Sequence, residues 1–290
     1  MPLLTGIIIS SFLKRDFDLI NRSISFNNKK MDYILVLDVK TSLEEENVEL
    51  EKELLERGKG RLRIIQGLFG NPGAARNKGL EMAEGKYVTF WDSDDVPNAE
   101  LIFKEVSNLD STNEDLDLIV GQFVRVEATG KSRGYLSKTF NVEQLLWQTG
   151  IWRIVYRKKF LDDIQFPELR MAEDQVFLLK CLFSNPKMIF SDSVFYEYIR
   201  HYGFQLTKDK SAFPDIMKAF ETSRIMMKEN TNQVLKHYAQ VLSIRQLISA
   251  IRNGQNELRS EAVKKLIREF ELSDLWILIR RFLWIKGKKR

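Results

Sequence analysis

Apolar residues fall into two spacings along the first third of the chain. Short runs rich in β-branched and aromatic residues, at 4–11, 33–37, 62–66 and 87–91, read as buried strands. Between them, apolar positions recur at helical spacing over 16–26, 43–57 and 72–84. The last of these helices has Pro72 in its first turn and Gly85 just past its end, the asymmetry expected of helix termini. Strands and helices that alternate in this way imply βαβ units, a mostly parallel α/β sheet and helices on both faces.

The pattern then loosens. A helix is predicted from Pro97 to about Leu109, a strand over 116–126, and a turn into a short strand over 130–135. A helix over 142–147, a strand over 151–156, a helix over 172–183 and short strands over 187–190 and 195–200 follow. From Ala212 only helical periodicity remains, at about 213–228, 232–252, 257–270 and 273–286. Strands stop and helices take over near 204–211. This predicts two domains, 1–205 and a smaller all-helical region, 206–290.

Composition narrows the class. The 290 residues, 44% hydrophobic and 29% charged, fit a soluble globular chain. The single cysteine, Cys181, excludes an intrachain disulfide or a Cys-based metal site and suits a reducing cytosol. The start, MPLLTGIIIS, lacks a basic leader region, and no apolar run approaches the ~18 residues of a membrane span. The net charge of +5 is local. Arg280, Arg281, Lys286, Lys288, Lys289 and Arg290 face one acid, Asp274, in the last segment, and the rest balances. A body-wide nucleic-acid surface is therefore not expected. Over 272–290, Leu272, Leu275, Trp276, Ile279 and Leu283 recur at helical spacing beside those basic residues. Such a helix suits an anionic membrane surface; the plainer reading is a last helix packed on its neighbours.

The densest chemistry lies where the fourth predicted strand ends. Asp92, Ser93, Asp94 and Asp95 arrive with no basic residue among them. Alternate acids, Asp92 and Asp94, can turn toward one point and suit a hard divalent ion, Mg2+ or Mn2+, that shares its shell with substrate phosphates. The competing reading is a solvated acidic turn that caps the next helix. In open α/β sheets ligands bind beyond the carboxyl ends of the strands, where these acids sit. Arg76 and Asn77 lie on the first turns of the preceding helix, whose N-terminus favours an anion. Arg76 could equally pair with Glu81 or a strand acid.

The stretch Asn71-Pro-Gly-Ala-Ala-Arg-Asn-Lys-Gly79, followed by Gly85-Lys-Tyr-Val-Thr-Phe-Trp-Asp-Ser-Asp-Asp95, resembles the family 2 glycosyltransferases of the GT-A (Rossmann-like) fold. The resemblance covers about residues 3–205. It implies a donor site built from Ser10, Phe12, Asp38, Arg76, Asp92 and Ser93. Asp38 would accept from the nucleobase and Arg76 would meet the diphosphate or the base. Asp94 would bind the metal directly, with Asp92 on the ribose or on the metal through water. His201 would complete the metal site or bind phosphate, or is an ordinary surface residue. Glu173-Asp174 resembles the family's acidic pair, with Asp174 as general base; Glu173, Trp152 and Arg200 lie toward the acceptor. Two segments depart from the family pattern. Asp38-Val39-Lys40-Thr41 stands where a second acid and a glycine are usual, and Ser10-Ser11-Phe12-Leu13 where Pro-x-Tyr-Asn is usual.

The expectation is a metal-dependent, inverting glycosyltransferase. It would move a sugar from a nucleotide-sugar donor, a UDP-sugar, to a hydroxyl of a glycan, lipid-linked or cell-envelope polymer acceptor. Its place would be the cytoplasm, peripheral on the inner face of the cell membrane. A nucleotidyltransferase would need a basic Gly-rich loop after the first strand, and none is present. A catalytically silent glycan-binding or scaffold protein on the same fold is the alternative.

Overall fold

In the computed structural model the four N-terminal apolar runs form parallel strands, β1 Leu4–Ser10, β2 Met31–Asp38, β3 Leu62–Gly67 and β4 Tyr87–Asp92. The structure describes residues 1–39, 45–112, 115–127, 132–134, 141–200, 210–269 and 276–279. The intervening helices are α1 Leu13–Ser23, α2 Glu45–Gly58 and α3 Pro72–Met82. Successive strand side chains point to opposite faces. Leu4, Ile8, Tyr33, Leu35, Leu37 and Trp91 share one core with Leu13 and Ile20 of α1 and Leu54 of α2. Ile7 and Val36 point the other way, against α3. There a Cβ on Gly79 would lie 2.4 Å from Ile7 Cγ2, so glycine lets the helix approach the sheet closely. Asn71 caps α3 by accepting from the Ala74 N–H at 2.8 Å.

The chain then adds β5 Val96–Pro97, α4 Ala99–Ser111, β6 Leu118–Val126, β7 Ser132–Gly134 and α5 Val142–Trp147. After these come β8 Ile154–Arg157, α6 Glu173–Phe183 and β9 Met188–Ile199, and then the helices α7 Pro214–Glu229, α8 Gln233–Asn253 and α9 Asn256–Glu269. The sheet runs β3-β2-β1-β4-β8-β6-β9-β5, with β7 on β6. Its first four strands are parallel. β8 runs antiparallel to both β4 and β6, and β5 antiparallel to β9.

Two local expectations change. Residues 151–156 are a 3-10 turn, Ile151–Arg153, before β8; a Cβ on the preceding Gly150 would lie 2.3 Å from the Trp152 ring, so glycine makes room for it. The two short strands over 187–200 are one twelve-residue strand, β9. Ser191, Asp192 and Ser193 look like a turn in sequence, but β9 stays paired to β6 through register shifts around Gln122. Gly121 of β6 makes room for the Phe195 ring, which a Cβ would meet at 2.2 Å.

The contacts divide the chain into two compact units. One comprises Met1–Phe140, Gly150–Arg170 and Lys180–Phe204; the other comprises Asn141–Thr149, Met171–Leu179 and Gln205–Arg290. The first holds the sheet. In the second, α8 packs against α5, α7 and α9 around Leu145, Leu146, Phe220, Leu242 and Leu247, all buried. Among the described residues no helix is long and apolar enough to cross a membrane.

Candidate active site

The strand order fixes where a ligand can sit. From β1 the chain steps to β2 and β3 on one side, then crosses back to place β4 on the other side of β1. The carboxyl ends of β1 and β4 therefore flank the switch point of the sheet, where a crevice opens between diverging connections. Ile9 pairs with Asp92 in register, and the Ser93 N–H donates to the Ile9 carbonyl at 3.2 Å. Ser10 and the acidic turn are thus adjacent across that crevice.

Asp92 is half-buried. Its Oδ1 accepts from Arg76 Nη2 at 2.8 Å, and its backbone N–H donates to Tyr196 Oη at 3.2 Å. Of the pairings open to Arg76 in sequence, the one with a strand acid is formed. Arg76 is 5% exposed, and its guanidinium lies over the Phe166 ring at 5.5 Å. Asn77 plays a different part: its side chain accepts from the Phe166 N–H at 2.9 Å and donates to the Phe166 carbonyl at 3.0 Å. This straps 166–167 over the start of α3, where a Cβ on Gly73 would lie 2.3 Å from the Pro167 carbonyl.

Asp94 is half-buried in the same turn. Asp95 is buried, and its Oδ1 accepts from the Ile199 N–H of β9 at 2.7 Å. Burial, then the neighbouring Asp94 and Asp92, push its carboxyl well above the usual carboxylate range. Asn98, not Asp95, caps α4. The solvated-turn reading therefore fails for Asp95, which anchors the last strand. Burial likewise raises the Tyr196 and Tyr198 hydroxyls, with Asp95 and Asp92 adding to it.

The other expected donor residues sit around this turn. Ser10 is buried at the end of β1. Phe12 is 47% exposed just beyond it, with the Arg15 guanidinium 4.7 Å from its ring centroid. Asp38 ends β2, and its Oδ1 accepts from the Phe69 and Gly70 N–H groups at 2.8 and 3.2 Å, so it fixes the loop into α3. Trp152 stacks on Tyr196 at 4.3 Å and on Tyr198 at 5.9 Å. Arg200 is exposed past β9, 3.5 Å from Glu127. His201 lies outside the described residues.

Asp174 and Glu173 open α6 in the second unit. The Asp174 carboxylate accepts from Thr149 Oγ1 at 3.4 Å and from the Gln175 N–H at 2.8 Å. Thr149 Oγ1 in turn accepts from Arg245 Nη1 at 2.5 Å. Ala172, just before the pair, is held at φ 66°, a left-handed conformation unusual for a residue with a Cβ.

Sequence reasoning missed Asp16, Arg15 and Tyr196. In sequence Asp16 only marks the start of the helical spacing over 16–26. Tyr196 had no sequence signal at all, because only the pairing of β5 with β9 brings it to the acids.

The sequence profile described as glycosyl transferase family 2 matches residues 15–173, more than half of the chain. The chain belongs to glycosyl transferase family 2. This family 2 chain is 32% identical over 184 residues to poly(ribitol-phosphate) beta-N-acetylglucosaminyltransferase TarS of Staphylococcus aureus; the match covers 60% of the chain and 31% of the relative. It thus spans about a third of that relative's length. A crystal structure of S. aureus TarS in complex with UDP-GlcNAc superposes with a TM-score of 0.65 at 19% identity, covering 97% of the chain and 79% of the other. The mannosyltransferase PcManGT from Pyrobaculum calidifontis, in complex with GDP-Man and Mn2+, gives 0.55 at 10% identity, covering 98% and 80%. Both likenesses bear out the GT-A-like architecture expected for family 2.

Proposed function

We propose that this chain transfers one sugar, with inversion, from a UDP-sugar to a hydroxyl of a glycan, lipid-linked or cell-envelope polymer acceptor. The observation that carries this reading is the meeting of Asp92, Arg76, Ser10 and the half-buried Asp94 at the β1–β4 switch point. The fold-mate bound to UDP-GlcNAc and the relative acting on poly(ribitol-phosphate) support the choice of donor and acceptor class.

In this reading Phe12 offers a stacking face to the base and Asp38 accepts from it. Arg76 and the α3 N-terminus draw the diphosphate. Asp92 orients the ribose with the Ser93 backbone beside it, the Ser93 hydroxyl donating to Asp16. The donor set also fits a divalent ion: two carboxylates at one strand end are hard oxygen ligands, and diphosphate oxygens and water can complete the shell. Among the described residues no three His, Cys, Asp or Glu side chains meet as a metal cluster, so the substrate would supply part of that shell. Bound by Asp94 with Asp92 beside it, and with His201 as a further candidate ligand, Mg2+ or Mn2+ would neutralise charge on the departing diphosphate. The fold-mate with GDP-Man and Mn2+ supports this use.

Asp174 takes the proton from the acceptor hydroxyl as its oxygen bonds to the anomeric carbon and the bond to the diphosphate breaks. Attack opposite the leaving group inverts that carbon. Glu173, Trp152 and Arg200 serve the acceptor. Residues 1–205 supply the donor-binding catalytic part and 206–290 the helical one, with 141–149 and 171–179 packed into the helical unit. The basic segment 272–290 holds the enzyme at an anionic membrane surface on the cytoplasmic side.

Thermal stabilisation by a panel of nucleotide sugars, with Mn2+ and with EDTA, tests the donor site. A donor at a hundredfold excess over Kd stabilises by about 2.7 kcal/mol. The expected result is a metal-dependent shift with a UDP-sugar that Asp94→Ala abolishes. Asp174→Asn should keep the shift and lose turnover by roughly 10²–10⁴. No shift with any donor sinks the donor site. A shift without turnover in the wild type leaves a silent binding protein.

A further inference from the structure

A buried carboxylate that no step above uses lies under the crevice. Asp16 sits in the first turn of α1, where an acid would ordinarily face solvent and the helix dipole. Its side chain instead turns inward and is 1% exposed. Burying a carboxylate costs several kcal/mol unless it is well bonded. Asp16 has four donors: Ser10 Oγ at 3.1 Å, Ser93 Oγ at 2.6 Å and Arg15 Nη2 at 2.9 Å reach Oδ2, and Arg15 Nε at 2.5 Å reaches Oδ1.

These donors come from both sides of the switch point. Ser10 is the last residue of β1, and its Oγ also accepts from the Phe12 N–H at 3.2 Å. Ser93 lies between the two acids of the turn. A hydrogen-bonded path therefore runs from the Phe12 backbone through Ser10 to Asp16, and from Asp16 to Ser93. The same carboxylate orients the Arg15 guanidinium over the Phe12 ring, and Arg15 also feels the charge of Asp94.

We infer that Asp16 is a positioning residue that sets the distance between the nucleobase side of the donor site, at Phe12, and the acidic turn, Asp92 to Asp94. This rests on the donor-site reading above. Being buried, Asp16 touches no nucleotide sugar and acts through Ser10, Ser93 and Arg15. Carboxylate bonds to hydroxyl and guanidinium donors are short and directional. Losing the Ser93 bond frees the turn to move relative to β1. Asn at position 16 removes the negative charge and presents an N–H2 where at least one of these donors now points.

The test is calorimetric binding of UDP with and without MnCl2 to the full chain, with melting curves on each variant. Asp16→Asn and Ser93→Ala are expected to weaken UDP binding in MnCl2 about tenfold, the scale of one lost net hydrogen bond. Thr89→Val is the comparison. It deletes a buried hydroxyl of β4, the strand that leads into the acidic turn, and that hydroxyl donates to the Ile154 carbonyl at 3.0 Å rather than to Asp16. It should lower the melting temperature without weakening UDP. Ser93→Thr, which keeps a hydroxyl, should restore binding. If Asp16→Asn does not fold, Ser93→Ala decides, because Asp16 keeps Ser10 and Arg15 there. The inference is overturned if both variants bind within about twofold of wild type, or lose no more affinity than Thr89→Val. Wild type that binds no UDP in MnCl2 fails the donor-site reading itself, and the positioning role goes with it.

Discussion

Asp95 carries the cost of burying a carboxylate. Its carboxyl is buried and holds the Ile199 N–H, and its raised pKa means that folding favours the protonated form. That contribution to stability is complete below the ordinary carboxylate value and is lost as pH rises through the folded-state value. In EDTA, the wild-type melting temperature should fall as pH rises above the carboxylate range. Asp95→Asn keeps an acceptor for Ile199 and should remove this slope, melting higher than wild type at pH 8; parallel slopes for the two proteins would refute it. Ala172 is a second strained point. At φ 66°, a glycine fits better, and Ala172→Gly should stabilise by roughly 1 kcal/mol in urea unfolding. At this scale the sequence was legible where placement follows from the chain alone, as where Asp92 ends β4 and Asp94 follows in the turn. It was silent about Asp16, whose burial depends on Ser10 and Ser93 in two different strands.

Among elements, α3 shows how closely this site is built. Its second residue, Gly73, meets the strap at 166–167, and a Cβ there would lie only 2.3 Å from the Pro167 carbonyl and 3.2 Å from Oδ1 of the cap, Asn71. Backbone cannot yield as a flexible side chain would. Gly73→Ala should therefore cost about 1–3 kcal/mol by overpacking. Because Arg76 is one turn along, the same change should weaken UDP binding; an unaltered affinity at reduced stability would separate α3 from the donor site. β1, β2 and β4 were readable because they are apolar runs buried on both faces, and β3, at the sheet edge and only partly buried, from its short β-branched run Ile64-Ile65. β9 was not, since the polar Ser191–Ser193 stretch imitates a turn, and only β6 alongside shows that the strand continues. The two-residue β5 carries no period to read, yet its pairing with Tyr196 brings the phenol to the acids.

On the scale of the whole molecule, the proposed membrane contact is separable from the proposed chemistry. The full chain should sediment with phosphatidylglycerol vesicles at low salt and release at high salt, each basic residue near the surface contributing about 1 kcal/mol. Deleting residues 272–290 should abolish sedimentation; retention by the shortened chain would assign binding elsewhere. The change from strands to helices near residue 205 was visible in the periodicity. The membership of α5 in the second compact unit was not, because a six-residue helix gives no hint of a partner far along the chain. That membership has a consequence for biosynthesis. Leu145 and Leu146 of α5 are fully buried, and α8 packs on their helix. During synthesis α8 leaves the ribosome roughly 90 residues later, on the order of 5–20 s at ordinary translation rates. For that interval two adjacent leucines wait without their native cover, a natural docking point for a chaperone on the nascent chain.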